Sequence, residues 1–377
     1  MTTHRGRRAR GAPRVSVVMA VYNGAGYVRE AIDSVLGQTL EDLEFVIVDD
    51  CSTDATRDIV RSYDDPRVVF VENTSNCGQT RSLNRGLRLA AAELIARQDA
   101  DDISEPARLA RQVTFLEAHR EIAMLGTWYR KIDAAGNVLG HRSLPCEPTD
   151  LRWCLLFFTP FVHSSVMFRR SVLAEVGLYN EALIYAQDHE LWSRIAAVKP
   201  VANLAEPLVR FRVHPASMTE THGDIVERES RMRVLNMARV LGWPGADGNG
   251  EPDRRFHAMR SLLFETDVVV DPERLPSAVK DIEELTVNFL RRYALDARRS
   301  RAHRAAVRRR VSQRLVRAAA ACARGDDWAK AWGLVLLSGR LRWHTVFQRR
   351  LWLAGEPCQH EPARVPRIVR PAIHARA

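Results

Sequence analysis

The chain has 377 residues, 46% of them hydrophobic and 27% charged, with a formal net charge of +10. That balance excludes a disordered chain, and the length predicts two domains or one large domain with an appendage. The positive charge invites a nucleic-acid reading, but residues 1–220 hold 26 basic and 28 acidic groups, leaving 30 basic and 18 acidic for the rest of the chain.

Residues 1–14 form a basic stretch that reads as a flexible tail. The apolar run behind it, Val15 to Val21, is too short for a signal peptide and lacks a small-residue cleavage site. Six cysteines show neither Cys-x-x-Cys pairs nor zinc spacing, which fits a reducing cytoplasm. No run reaches the roughly 18 uncharged apolar residues of a spanning helix. The longest, around Trp332, is closed by Arg340.

From Val15 to Asp102, short β-branched runs (VSVVMAV, LEFVIVDD, RVVFVEN, ELIARQD) alternate with segments of helical spacing. The βαβαβαβ order predicts a parallel sheet with right-handed crossovers, and ligands in such sheets bind at the carboxyl ends of the strands. Those ends carry Tyr22-Asn23-Gly24, Asp49 to Ser52, Asn73 to Gly78 and Asp99 to Asp102. Residues 103–223 read as an α+β half, with a helix bearing Leu109, Val113 and Leu116 and a hairpin about Ala135-Gly136-Asn137. Residues 224–377 read as a basic helical region with Ile282, Leu285 and Phe289 on one helix and Val307, Val311 and Leu315 on another.

Neither GxGxxG nor GxxxxGK[ST] follows a strand, so dinucleotide and P-loop readings fail. The strand ends offer carboxylates instead: Asp49 and Asp50, then Asp99, Asp101 and Asp102. Brought to one sheet edge, they repel unless a cation or proton is shared, and hard oxygen ligands suit Mg2+ or Mn2+ on a diphosphate. The plainer alternative is helix capping by these segments, with Ser52, Thr53 and Ser104 well placed for it.

The ordered set VSVVMAVYNG, FVIVDDCSTDAT, NTSNCGQTRSLNRGL, IARQDADDISEPARL, FVHSSVMFRRSV, QDHELWSRIA and VRFRVHPASMT resembles the inverting family-two glycosyltransferases of GT-A fold, over about residues 14–220. The resemblance implies a Rossmann-like, mostly parallel α/β sheet with helices on both faces, a nucleotide-sugar donor and a divalent metal. Residues 15–102 would form the donor-binding half and residues 103–223 the acceptor-binding half. By the same resemblance Ala20 and Tyr22 lie near the nucleotide base, and Asp50, with Asp49 beside it, holds the base. Asp99-Ala100-Asp101 is the DxD motif, Asp99 facing ribose and Asp101 the metal. Asp188 in QDHELW is the expected general base, although Gln187 stands where the family has Glu. His214 matches a histidine near metal or diphosphate, or is structural. Arg81 either reaches the donor or is a solvated helix-face arginine.

Trp192 reads as a sugar-stacking ring or as core, and His163, Ser164 and Ser165 precede a strand that could line the acceptor pocket. The Ser-His adjacency lacks a GxSxG elbow, so a hydrolase is not supported. In the basic region, arginines cluster around Val307, and Trp328, Trp332, Trp343 and Trp352 interleave with Arg340, Arg342, Arg349 and Arg350 in an expected helical hairpin. The readings are an anionic membrane surface or packed and solvated helices; no nucleic-acid module is recognisable. The expected activity is sugar transfer to a glycan or lipid-linked glycan in cell-surface polysaccharide or glycoconjugate synthesis. The expected location is cytoplasmic or peripheral on the inner membrane face. The alternatives are a non-catalytic binding relative and a sugar nucleotidyltransferase, the latter disfavoured because AVYNGAGY lacks a basic phosphate loop.

Overall fold

The computed structural model describes residues 12–215, 233, 235–243, 254–264 and 272–346, with side chains to Arg342 in the last segment. The chain divides into two compact units, the first running to Asp253 and taking in Arg291–Tyr293, the second comprising the remainder.

In the first unit the expected strands and crossovers form in order: β1 (Val15–Val21), α1 (Val28–Leu36), β2 (Leu43–Asp49), α2 (Thr56–Arg61), β3 (Val68–Glu72), α3 (Gln79–Leu89) and β4 (Leu94–Arg97). β1 pairs in parallel with β2 and β4, and β2 with β3. Continuous apolar runs form these strands because both faces are covered: β1 is buried at all seven positions, with Val18 and Val46 in one core layer and Val17 and Ile47 in the other.

The second half extends the same sheet with mixed polarity. It adds β5 (Ile103–Ser104), α4 (Arg108–Ala118), β6 (Met124–Ile132), β7 (Val138–Arg142), α5 (Pro148–Cys154), β8 (Met167–Arg169), α6 (Val172–Val176), α7 (Gln187–Val198) and β9 (Val201–Arg212). The sheet order is β3-β2-β1-β4-β8-β6-β9-β5, with β7 paired to β6 in the expected hairpin. β8 joins β4 antiparallel, so the half-sheets share one hydrogen-bonded surface. Leu109, Val113 and Leu116 of α4 are buried, as their spacing requires.

The second unit contains α8 (Arg254–Leu263), α9 (Leu275–Arg292) up to Leu290, α10 (Ala297–Arg324) and α11 (Trp328–Val346). Ile282, Leu285, Phe289, Val307, Val311 and Leu315 are all buried. α10 and α11 pair in a buried seam through a 2.8 Å hydrogen bond between the Ser312 and Ser338 hydroxyls; the hairpin expected within residues 328–352 is, as far as the described residues go, the single helix α11. The Trp343 and Trp352 side chains lie outside the described residues. Among the described residues no helix is long and apolar enough to cross a membrane, and Cys51, Cys77, Cys146, Cys154 and Cys322 are free thiols.

Candidate active site

The parallel strands bring four loops to one sheet edge. The loop after β1 is tied to the loop after β2: Asn23 N–H donates to Ser52 Oγ at 2.9 Å, Gly24 N–H to Thr56 Oγ1 at 2.9 Å, and Ala25 N–H to Asp54 Oδ2 at 3.0 Å. Gly24 also lies close to the loop after β4, since a Cβ there would stand 3.7 Å from that of Ala100 and 2.8 Å from Val21 Cγ2. Ala20 is buried in β1, whereas Tyr22, just past its end, is half exposed.

Asp49 and Asp50 are both buried, and each is satisfied by protein. Asp49 accepts from Arg57 Nε at 2.8 Å and from Ser52 N–H. Asp50 accepts from Asn73 Nδ2 at 2.7 Å, Cys77 N–H at 2.9 Å and Gly78 N–H at 2.8 Å. Burial opposes its charge, but the donors of Cys77 and Asn73 outweigh that and hold the carboxyl below the usual aspartate range. Asp50 therefore shapes the loop after β3. Ser52, Thr53 and Ser104 cap no helix: Ser52 Oγ receives Asn23 N–H, the first N–H of α2, that of Thr56, goes to Asp54 Oδ1 at 3.0 Å, and the N-cap residue of α4 has no side-chain cap bond.

The loop after β4 is built differently. Asp99 is clamped by Arg97 Nη2 at 2.5 Å on one oxygen and by the Ser164 hydroxyl at 2.8 Å on the other. Burial is countered by the Arg97 charge, and the Asp99 carboxyl is held below its ordinary value. Asp102 is buried; its Oδ1 accepts Arg212 N–H at 2.8 Å, and its Oδ2 lies 2.5 Å from Ser164 Oγ, whose one proton serves Asp99, so the proton of this contact comes from the Asp102 carboxyl. Asp101, with about a third of its side chain exposed, has Oδ2 at 3.0 Å from His214 Nε2. Burial, then the charge of Asp99, raises the Asp101 carboxyl above its ordinary value; burial, then Asp101 and Asp99, raises Asp102 well above it. Asp101 and Asp102 thus lack enough compensating positive charge.

Among the described residues no three His, Cys, Asp or Glu side chains converge into a metal site by themselves. Asp101 Oδ2 and His214 Nε2 can share one ion at their present separation, and a divalent cation there would relieve the repulsion among the carboxylates. The donor set, one oxygen and one imidazole nitrogen, fits an ion whose other positions are filled by diphosphate oxygens and water. His214 is further oriented by Tyr27, ring centroids 4.7 Å apart, with the Arg212 guanidinium over the same Tyr27 ring.

Asp188 occupies the first turn of α7, where its Oδ1 accepts His189 N–H at 2.7 Å. Preceding it, Ala186 adopts a left-handed φ of 56°, and Gln187 donates to Gln79 Oε1 at 2.8 Å. Between Asp188 and Asp99 stands a network missed in sequence. Arg97 Nε–H donates to His163 Nε2 at 3.1 Å, which makes that nitrogen an acceptor and leaves the imidazole proton on Nδ1, 3.8 Å from Asp99 Oδ2. The Tyr179 hydroxyl lies 2.9 Å from the same Nε2. Burial, then Arg97, lowers His163 to about 3, so it is neutral at physiological pH.

Trp192 is fully buried against His163, Phe168 and Tyr179 and is core, not a sugar platform. Ser164 is turned to Asp99 and Asp102; His163–Ser165 form a 3-10 turn before β8. Arg81 is largely exposed on α3, 3.6 Å from Glu181. A signal for the missed network was present: Arg97 ends an otherwise apolar strand, and a buried guanidinium requires acceptors.

A parallel half-sheet with aspartates at its strand ends, continued in one sheet by a mixed half, is the arrangement of the GT-A class of glycosyltransferases. The sequence profile described as glycosyl transferase family 2 matches residues 16–177. An uncharacterized glycosyltransferase of Haemophilus influenzae is 32% identical over 300 residues, covering 72% of this chain and 91% of that protein. The amylovoran biosynthesis glycosyltransferase AmsE of Erwinia amylovora is 29% identical over 229 residues, covering 59% of this chain and 85% of its own. Among solved structures, S. aureus TarS 1–349 in complex with UDP-GlcNAc superposes with a TM-score of 0.54 at 17% identity, covering 87% of this chain and 91% of that one. The chain belongs to glycosyl transferase family 2 and is a glycosyltransferase.

Proposed function

We propose that the chain transfers a sugar, with inversion, from a nucleoside diphosphate sugar to a hydroxyl of a glycan or lipid-linked glycan during cell-surface polysaccharide or glycoconjugate synthesis. The observation that carries the donor assignment is the undercompensated Asp101–His214 pair at the edge where the four strand-end loops meet. A uridine diphosphate sugar is the donor favoured, supported by the solved relative that holds UDP-GlcNAc on the same fold.

Asp101 and His214 would hold Mn2+ or Mg2+, with Asp99 facing the ribose, and the ion would neutralise the departing diphosphate. Asp99 is prepositioned for this by Arg97 and Ser164. Tyr22 and Ala20 border the base, and Asp50 holds the base side of the site through the loop it organises. Arg81 reaches the donor if its contact with Glu181 opens. The acceptor oxygen attacks the anomeric carbon as the bond to the diphosphate oxygen breaks, and Asp188 takes the hydroxyl proton. A single displacement inverts the anomeric centre, and one carboxylate base suffices.

A panel of nucleotide sugars incubated with glycan and lipid-linked acceptors, read by mass spectrometry, tests the reading. It expects product from at least one donor and loss of turnover by about 100- to 10,000-fold in Asp188→Asn, with nucleotide binding retained. No consumption of any nucleotide sugar would overturn it.

A further inference from the structure

The second unit carries two surface features that sugar transfer does not use. On α11, Trp328 and Trp332 are each 66% exposed and Leu336 is 47% exposed. Four-residue spacing places them as a stripe about 12 Å long at 1.5 Å per residue. Large rings left in water at such spacing need a reason, because apolar patches on soluble surfaces mark interaction sites. Asp327 and Glu273 beside this helix are paired with Lys330, whose Nζ lies 3.0 Å from Asp327 and 3.5 Å from Glu273.

The second feature is α10, which has ten arginines and no acidic residue over Ala297–Arg324. Arg298, Arg301, Arg304, Arg308 and Arg309 are exposed and, at about 100° per residue, share one arc of the helix. Glu283 compensates Arg308 at 3.0 Å, while Arg301, Arg304 and Arg309 form no ion pair among the described residues. A solvated helix would be expected to intersperse acids among its bases. The same helical pair therefore combines a tryptophan stripe with surplus guanidinium charge.

We propose that the α10–α11 hairpin docks on an anionic phospholipid surface, Trp328, Trp332 and Leu336 entering the interfacial layer and Arg301, Arg304 and Arg309 meeting lipid phosphates. Tryptophan is favoured at the headgroup level because its ring is amphipathic, and arginine supplies the long-range attraction. The occupant is a lipid surface because the stripe is apolar and exposed, and because the unpaired charge is of one sign. The inference stands independently of the donor-site reading.

Co-sedimentation of the full chain with vesicles tests it. The protein should pellet with phosphatidylglycerol-containing vesicles and stay in solution with pure phosphatidylcholine, its tryptophan emission shifting to the blue on binding. Replacing Arg301, Arg304 and Arg309 together by Ser should weaken binding at low salt by about a hundredfold, roughly fivefold for each arginine. Trp328→Ser combined with Trp332→Ser should abolish the emission shift and the pelleting, with Trp332→Ser alone as a milder variant and circular dichroism as the check on folding. The proposal is overturned if the wild-type chain ignores anionic vesicles, or if both sets of variants bind as well as the wild type. It is equally overturned if sedimentation velocity shows a dimer that the tryptophan variants lose, or if duplex DNA is bound in preference to vesicles.

Discussion

The loops after β2 and β4 invite comparison, because each sets aspartates at the carboxyl end of a parallel strand and each looks alike in sequence. After β2, Asp49 and Asp50 have as many donors as their charges require: Arg57, Ser52, Asn73, Cys77 and Gly78. After β4, one arginine and one serine serve Asp99 while Asp101 and Asp102 are pushed toward protonation. The difference teaches that a carboxylate cluster is informative for what remains uncompensated. On the proposed function, the first cluster builds the wall of the site and the second leaves charge for a ligand to neutralise.

The largest expected effect that would sharpen this contrast is on turnover. Asp101→Asn should lower kcat by at least about a hundredfold, as expected for removal of a group that stabilises developing charge, while leaving the melting temperature close to that of the wild type. A loss of folding instead would place Asp101 with the wall-building group. Next comes Asp50→Asn, which leaves backbone donors facing an amide. At about 1–3 kcal/mol for disrupted buried hydrogen bonds, the thermal midpoint should fall by several degrees. An unchanged midpoint would show that the loop after β3 does not depend on that charge.

The smallest effect has the opposite sign. Asp102 is a buried carboxyl with a raised value, so Asp102→Asn should leave the midpoint unchanged or slightly higher at neutral pH. The two substitutions also differ in pH dependence. For Asp50, whose folded value is depressed, the stabilisation is complete above the unfolded aspartate value of about 3.9 and disappears as pH falls through the lower folded value. For Asp102, whose folded value is raised, the charge-burial penalty is absent below about 3.9 and develops as pH rises through that value toward the folded one. Melting curves between acid and neutral pH should therefore show both variants converging on the wild type at low pH, from opposite sides.

The parallel half-sheet was legible because β-branched runs alternated with helical spacing, and because each strand is covered on both faces. The hairpin of β6 and β7 and the buried face of α4 were legible for similar reasons. What sequence could not supply was compensation. Nothing local to Asp50 announces that its partners come from residues 73–78, and nothing local to Asp99 announces Ser164, brought in by the antiparallel pairing of β8 with β4. Trp192 illustrates the same limit: four residues beyond Asp188 it could face a sugar or the core, and only the packing of Phe168 and Tyr179 decides for the core.

Calorimetric titration with uridine and guanosine diphosphates, with and without Mn2+, tests the central claim most directly, namely that the carboxylates after β4 are the donor-metal centre. The account predicts nucleotide binding strengthened by Mn2+ in the wild-type chain and in Asp188→Asn, and loss of that strengthening in Asp101→Asn. Nucleotide affinity that is indifferent to Mn2+, or a Mn2+ effect that survives Asp101→Asn intact, would contradict it.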